Sequence, residues 1–315
     1  MAAVAARPNE GPTRAQLVRG AAAAALTTIA ARAFAASPPP AKMQTRPIPS
    51  TREPLPVIGC GTYLGFDQAP GTPAYAELPG VVDALLDAGG KVIDSSPMYG
   101  RAEETTGALL AANGRRAEAF VATKVWMRGR DEGIRQMENS MRLLRTDRID
   151  LMQVHNLVDW QTQLRTLRRW KEEGRIRYLG ITHYSPSAYP EVESVLRSER
   201  LDFLQIDYAL DDRAAERRVL PLAAERGVAV IVNMPFGGGG LLRTLSAKPL
   251  PPWAAEIGCA SWAQLLLKFV LSHPAVTCAI PGTRRREHMA DNVRAGFGDP
   301  PPPAFWRDKV DAILR

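Results

Sequence analysis

The 315-residue chain has little cysteine, little histidine and no apolar run of membrane-spanning length. Its three cysteines, Cys60, Cys259 and Cys278, are spaced for neither a metal cluster nor a disulfide framework. Cys60 lies between glycines and Cys278 in an apolar run, so both read as small buried side chains. There are four histidines, and no second histidine or carboxylate pair flanks His155 at ligand spacing. A metal-dependent hydrolase therefore lacks its donors, and no metal is expected. Positive charge exceeds negative by only +7, and the four arginines of the first 35 residues, less Glu10, account for three of those charges. That excess is too mild and too scattered for a nucleic-acid surface.

What is present fits a globular protein: 45% of residues are hydrophobic and 23% charged. The length accommodates one barrel of roughly 250 residues or two smaller domains. The first 35 residues read differently from the rest. Arg7, Arg14 and Arg19 precede a short apolar run after Gly20, and Ala33-Phe34-Ala35 resembles a cleavage site. That order describes an export signal, and the run is too short to cross a membrane. Thr13-Arg14-Ala15-Gln16-Leu17-Val18-Arg19 resembles a twin-arginine motif with alanine at the second arginine. Residues 36–53 are Pro-rich and read as a linker.

From residue 54 onward, short apolar runs alternate with amphipathic stretches. Strands are expected at 57–61, 91–95, 119–125, 149–155, 178–182, 203–208, 228–233 and 277–281. Helices are expected at 74–88, 103–112, 132–144, 161–173, 188–197, 214–226, 261–271 and 287–295. Glycines close several of these helices, and residues 300–315, with Phe305 and Trp306, read as a terminal helix packing on the domain. Strands apolar at most positions suit a parallel sheet covered on both faces, and eight such pairs predict a (β/α)8 TIM barrel. The alternative, a doubly wound open sheet, needs a Gly-rich turn leading directly into a helix. Gly59-Cys60-Gly61-Thr62-Tyr63-Leu64-Gly65 has the glycines, but no helical pattern follows at once.

In such a barrel the chemistry sits at the C-terminal ends of the strands. Asp94, Lys124 and His155 end three consecutive predicted strands, and Tyr99 follows Asp94 in the loop Pro97-Met98-Tyr99-Gly100. Each residue alone has an ordinary structural explanation; together, on one rim, they suit carbonyl reduction. The carbonyl carbon takes a hydride and its oxygen a proton. A phenol with a pKa near 10 is a reluctant donor unless a cation stabilises the phenolate, and Lys124 can supply that cation. A buried lysine needs a carboxylate to remain charged, and Asp94 can supply it. His155 can donate to the substrate oxygen and orient it.

Over residues 54–297 these motifs resemble the aldo-keto reductase family. Gly59-Cys60-Gly61-Thr62, Asp94-Ser95-Ser96-Pro97-Met98-Tyr99-Gly100, Ala122-Thr123-Lys124 and Gln153-Val154-His155 follow the family's order and spacing. The resemblance implies a catalytic tetrad of Asp94, Tyr99, Lys124 and His155, with Tyr99 as proton donor. It also implies NADP(H), bound at the barrel rim without a Rossmann turn. Gly61, Thr62, Asp94, Thr182, His183, Gln205, Asn233 and Pro235 fall where the family surrounds the nicotinamide half. Phe236, Gly237 and Gly240 match the segment that covers the pyrophosphate. Pro281, Gly282, Thr283, Arg284, His288, Asp291 and Asn292 match the segment for the 2′-phosphate and adenine. Three departures stand out: Thr182-His183 replaces the usual Ser-Asn, Asn233 stands where an aromatic often stacks, and Asp207 replaces an Asn.

Tyr63, Met98, Trp126, Asn156 and Trp160 are expected to wall the site against an apolar aldehyde, ketone or quinone. The expected partner is a small carbonyl substrate, bound by a monomer that has no membrane span and binds no nucleic acid. The export signal implies a periplasmic protein that crosses with its cofactor already bound, the alternative being a cytoplasmic one. The competing functional reading is a redox-sensing module of the same fold, which binds the nicotinamide with little turnover.

Overall fold

The computed structural model describes residues 42–315, and the export signal expected over 1–35 lies outside them. Eight short strands form one parallel sheet. They are β3 (Cys60–Gly61), β4 (Val92–Asp94), β5 (Phe120–Val125), β6 (Ile149–His155), β7 (Ile176–Thr182), β8 (Phe203–Asp207), β9 (Ala229–Asn233) and β10 (Val276–Ala279). Each pairs with the next in chain order, and parallel bridges Ile58–Ala279 and Gly61–Gly282 join the last to the first. The sheet therefore closes into the (β/α)8 barrel expected from the sequence.

Period-two alternation along the strands decides what faces the barrel axis. Val92, Phe120, Leu151, Tyr178, Phe203 and Ala229, near the strand starts, share one buried cluster with Ala122, Ile231, Cys278 and Ile280. The intervening residues, such as Val121, Met152, Leu204 and Val230, belong to the outer cluster beneath the helices. Continuing the inward parity towards the strand ends gives Asp94, Lys124, Gln153, His155, Thr182, Gln205 and Asn233. The barrel axis is thus apolar at its N-terminal end and polar at its C-terminal end.

The helices around it are α1 (Pro73–Ala76), α2 (Leu78–Asp87), α3 (Ala102–Ala112), α4 (Arg130–Leu143), α5 (Trp160–Glu172), α6 (Tyr189–Ser198), α7 (Val219–Glu225), α8 (Gly240–Leu245), α9 (Trp262–Ser272), α10 (Arg286–Val293) and α11 (Val310–Leu314). Two differ from expectation because of proline. The helix expected over 74–88 is split at Glu77, which places Pro79 in the first turn of α2. The one expected over 214–226 is a 3-10 turn (Ala214–Arg217) followed by α7, with Pro221 in its first turn. Proline is tolerated there because the first N–H groups have no intrahelical partner. At the C-terminus a 3-10 turn (Pro303–Trp306) and α11 replace one terminal helix. Trp306 is buried as expected, its indole donating to Ser272 Oγ at 2.7 Å.

The described part of the Pro-rich linker is not a linker. β1 (Thr45–Pro47) pairs antiparallel with β2 (Pro54–Pro56), and the hairpin closes the N-terminal end of the barrel. Ile48 and Leu55 are fully buried in the axial cluster. Arg46 donates to the carbonyls of Leu271, His273 and Val276, satisfying the C-terminal end of α9. Proline content pointed to a linker; the two apolar residues among the prolines decided otherwise, and a two-stranded ribbon tolerates proline.

Candidate active site

Lys124 is fully buried and donates to Asp94 Oδ2 at 2.6 Å and to the Ser95 carbonyl at 2.7 Å. Asp94 Oδ1 accepts from Gln205 Nε2 at 2.9 Å and from Gln153 Nε2 at 3.3 Å. Both carboxylate oxygens are thus engaged, which is how a buried ion pair escapes the cost of an unsatisfied charge. Burial works against the ammonium of Lys124, but Asp94 and Tyr99 outweigh it and hold its pKa above the ordinary lysine value.

Tyr99 reaches this pair from a tight turn. Its N–H donates to the Ser96 carbonyl at 3.0 Å. Gly100 follows at φ +59°, where a Cβ would run into the Asp67 carboxylate that caps Arg101 N. The Tyr99 ring lies edge-on to Tyr63 at 5.0 Å and to His155 at 5.9 Å, with Lys124 Nζ 5.1 Å from its centroid. All four expected catalytic residues therefore meet. The expected lowering of the phenol does not hold as a net effect: burial pushes Tyr99 above its ordinary value, and Lys124 is the chief opposing influence.

His155 is buried, with Nδ1 3.1 Å from Ser96 Oγ. Burial first, then the charge of Lys124 and the neighbouring His183, push its imidazole down to about 3. It is neutral at physiological pH. His183 Nδ1 accepts the N–H groups of Tyr184 and Ser185 at 3.0 and 3.1 Å, so its proton is on Nε2. Sequence reasoning left Gln153 and Ser96 without a role. Gln153 sits two residues before His155, on the same inward face, and that parity is the signal that could have found it.

The residues expected around a nucleotide divide into two groups. At the rim, Asn233 donates to the His183 carbonyl at 3.3 Å, while its Oδ1 is buried with no partner among the described residues. Gly237 adopts φ +57°, where a Cβ would meet the Asp211 carboxylate; it opens a 3-10 turn (Gly237–Gly239) that leads into α8 at Gly240, behind Pro235 and half-buried Phe236. Gly61 bridges Gly282, next to buried Pro281. Thr283 Oγ1 accepts from Arg285 N at 3.1 Å and lies 3.5 Å from His288 Nδ1. Arg284 and Arg286 are exposed, with no carboxylate partner among the described residues, whereas Arg285 pairs with Glu287 at 2.9 Å. α10 starts at Arg286 without a side-chain cap, which leaves N–H groups of its first turn open.

The second group makes hydrogen bonds within the protein. The Thr62 hydroxyl is buried and donates towards the Asp94 carbonyl and Ser95 Oγ, each at 3.0 Å, tying β3 to β4. Thr182 Oγ1 donates to Gln205 Oε1 at 3.2 Å, so the Gln205 amide is used at both ends. Asp291, expected at an adenine, accepts from Ser261 Oγ and Gln264 Nε2, both at 2.5 Å, and anchors the start of α9. Asn292 is buried. Strand and helix patterns locate these residues but do not say which way a polar side chain finds its partner.

Tyr63, Met98 and Trp126 are exposed around the mouth, as expected of walls, and Leu64, Met127, Tyr184 and Met234 join them from the same end. Asn156 follows His155 at φ +52° with its Oδ1 buried and unpartnered among the described residues. Trp160 is a less free wall: its indole donates to Glu191 Oε1 at 3.2 Å and its ring packs on the core. No helix of the described residues is long and apolar enough to cross a membrane.

Comparison with known proteins matches residues 57–298 to the family described as "Aldo/keto reductase family". A methylglyoxal reductase of Escherichia coli strain K12 is 29% identical over 247 residues, 76% of this chain and 84% of that protein. An aryl-alcohol dehydrogenase of Pestalotiopsis microspora is 26% identical over 261 residues, covering 68% of this chain and 67% of its own. Among solved structures, an aldo-keto reductase from Klebsiella pneumoniae in complex with NADPH aligns with a TM-score of 0.69 at 27% identity. That alignment covers 81% of this chain and 89% of that one.

Proposed function

The chain belongs to the aldo/keto reductase family, and from that premise we propose that it reduces an aldehyde, ketone or quinone carbonyl to the alcohol with NADP(H), Tyr99 giving the proton. The observation that carries this reading is the convergence of Tyr99, His155 and the buried Lys124–Asp94 pair at the polar end of the barrel. Two features fit the nucleotide. Asn233 Oδ1 is a buried acceptor with nothing to accept, a need that a carboxamide N–H would meet. Arg284 and Arg286, without a carboxylate partner among the described residues, flank the start of α10, which suits a phosphate. Thr283, His288 and the glycine segment Gly237–Gly240 would line the same groove. Bound there, NADPH supplies a hydride to the carbonyl carbon.

The remaining work belongs to the chain. With its pKa raised by burial, Tyr99 keeps its proton at neutral pH and can give it up only as negative charge develops on the carbonyl oxygen. Lys124, kept charged by Asp94, then stabilises the phenolate left behind. Neutral His155 donates a hydrogen bond to the same oxygen and orients it. The apolar mouth of Tyr63, Leu64, Met98, Trp126, Met127 and Tyr184 favours bulky apolar carbonyls over small hydrated ones.

The test mixes purified protein with NADPH and a panel of aldehydes and quinones, and follows loss of NADPH absorbance beside Tyr99→Phe. Turnover lost by roughly 100-fold or more in the variant, with nucleotide binding kept, supports the reading. Nucleotide binding without turnover in the wild type supports the redox-sensing alternative, which the departures at His183 and Asn233 favour; absence of binding defeats both. Export through residues 1–35 is part of the same proposal and is tested by the location and N-terminal residue of the full-length product.

A further inference from the structure

Ser96 is fully buried between two functional groups. Among the described residues its hydroxyl has two hydrogen-bond neighbours, Met98 N at 3.2 Å and His155 Nδ1 at 3.1 Å. A backbone N–H can only donate, so Ser96 Oγ accepts from Met98. The hydroxyl's own hydrogen then has one place to go. Were His155 Nδ1 protonated, Ser96 would receive two donors while its own O–H, sealed from water, found no acceptor. That arrangement leaves a buried donor unsatisfied and is disfavoured against the paired one. With Nδ1 accepting from Ser96, the single proton of the neutral ring lies on Nε2, which has no protein partner among the described residues.

We infer that Ser96 is a positioning residue that sets the His155 tautomer, so that the ring offers Nε2–H to the carbonyl oxygen. The inference rests on the reductase reading for its purpose, but not for its geometry. The tautomer of an imidazole is chosen by the bond its other nitrogen makes, and a ring with the wrong nitrogen protonated would meet the carbonyl oxygen with a lone pair. Ser96 also holds the turn that carries the proton donor: its carbonyl accepts from Tyr99 N and its hydroxyl from Met98 N. One residue, through its hydroxyl and its carbonyl, thereby fixes the orientation of His155 and the path of the chain to Tyr99.

The first measurement needs no variant. Long-range proton–nitrogen NMR spectra of histidine-labelled wild-type protein, with His155 assigned from the signals lost in His155→Gln, are expected to show the Nε2–H form at neutral pH. Ser96→Ala is expected to mix the tautomers and to lower kcat roughly 10- to 100-fold with the NADPH dissociation constant unchanged. Ser96→Thr, which keeps the hydroxyl, restores the Nε2–H form and most of kcat. An Nδ1–H ring in the wild type overturns the inference, as does a Ser96→Ala protein whose tautomer is unaltered. A wild type that shows the Nε2–H form but reduces no carbonyl would sink the reductase reading and leave the role of Ser96 in the tautomer standing.

Discussion

At the scale of single residues, the buried Lys124–Asp94 pair bears on stability and, on the proposed reading, on chemistry. Replacing Lys124 with Met leaves the Asp94 carboxylate buried with only the two amide donors Gln205 and Gln153. Removing one partner of such a pair costs roughly 3–5 kcal/mol, so Lys124→Met should lower the unfolding free energy read from urea titration by that amount as well as stop turnover. A variant as stable as the wild type would mean the pair is not charged. His155 makes a second prediction. Its folded-state value of about 3 lies below the 6.5 of a free histidine, so its contribution to stability is present above pH 6.5 and is lost as pH falls towards 3. The slope is about 1.4 kcal/mol per pH unit within that window. Asp207, pushed up to about 6 by burial first, acts in the opposite sense as pH falls below 6. Comparing wild type with His155→Gln from pH 7.5 to 4 isolates the histidine: the variant should lose less stability in acid. Equal losses would show that His155 is solvated.

At the scale of elements, helix contacts are set by positions that carry no chemical signal. Gly107 lies within α3 where it crosses the end of α4, and a Cβ there would run into the Leu143 carbonyl. In an exposed helix, Gly→Ala gains roughly 1 kcal/mol of propensity. Here the contact is with backbone that cannot rotate away, so the packing penalty of about 1–3 kcal/mol wins. Gly107→Ala should therefore lower the melting temperature, whereas Gly→Ala at an open helical position should raise it. The split of α1 from α2 was missed although its signal was present, because Pro79 fits a helix only in its first turn. The crossing at Gly107 had no such signal, since it depends on how two helices, joined through β5, lean on each other.

At the scale of the whole molecule, the barrel separates its supports from its chemistry. The hairpin β1–β2 seals the N-terminal end with Ile48 and Leu55, while Tyr99, Lys124 and His155 occupy the other end. Ile48→Ala should cost roughly 2–5 kcal/mol by opening a cavity among Phe120, Tyr178 and Phe203, and should leave kcat unchanged. A large fall in kcat with native stability would mean that the two ends are coupled.

Alternation of strands and helices, and the polar residues closing successive strands, were enough to place Asp94, Lys124 and His155 on one rim, because in a parallel barrel every strand end points the same way. The sequence by itself thus determined the barrel and the placing of Asp94, Lys124 and His155 together on its rim. Only the tertiary structure decided that the Pro-rich stretch 42–53 belongs to a hairpin that plugs the barrel with Ile48, that Asp291 braces α9, that Gln205 and Gln153 brace Asp94, and that Ser96 faces His155. Each of those outcomes is a choice of partner for a buried group. Such a choice depends on which groups from distant parts of the chain are within 3 Å or so once water has been excluded.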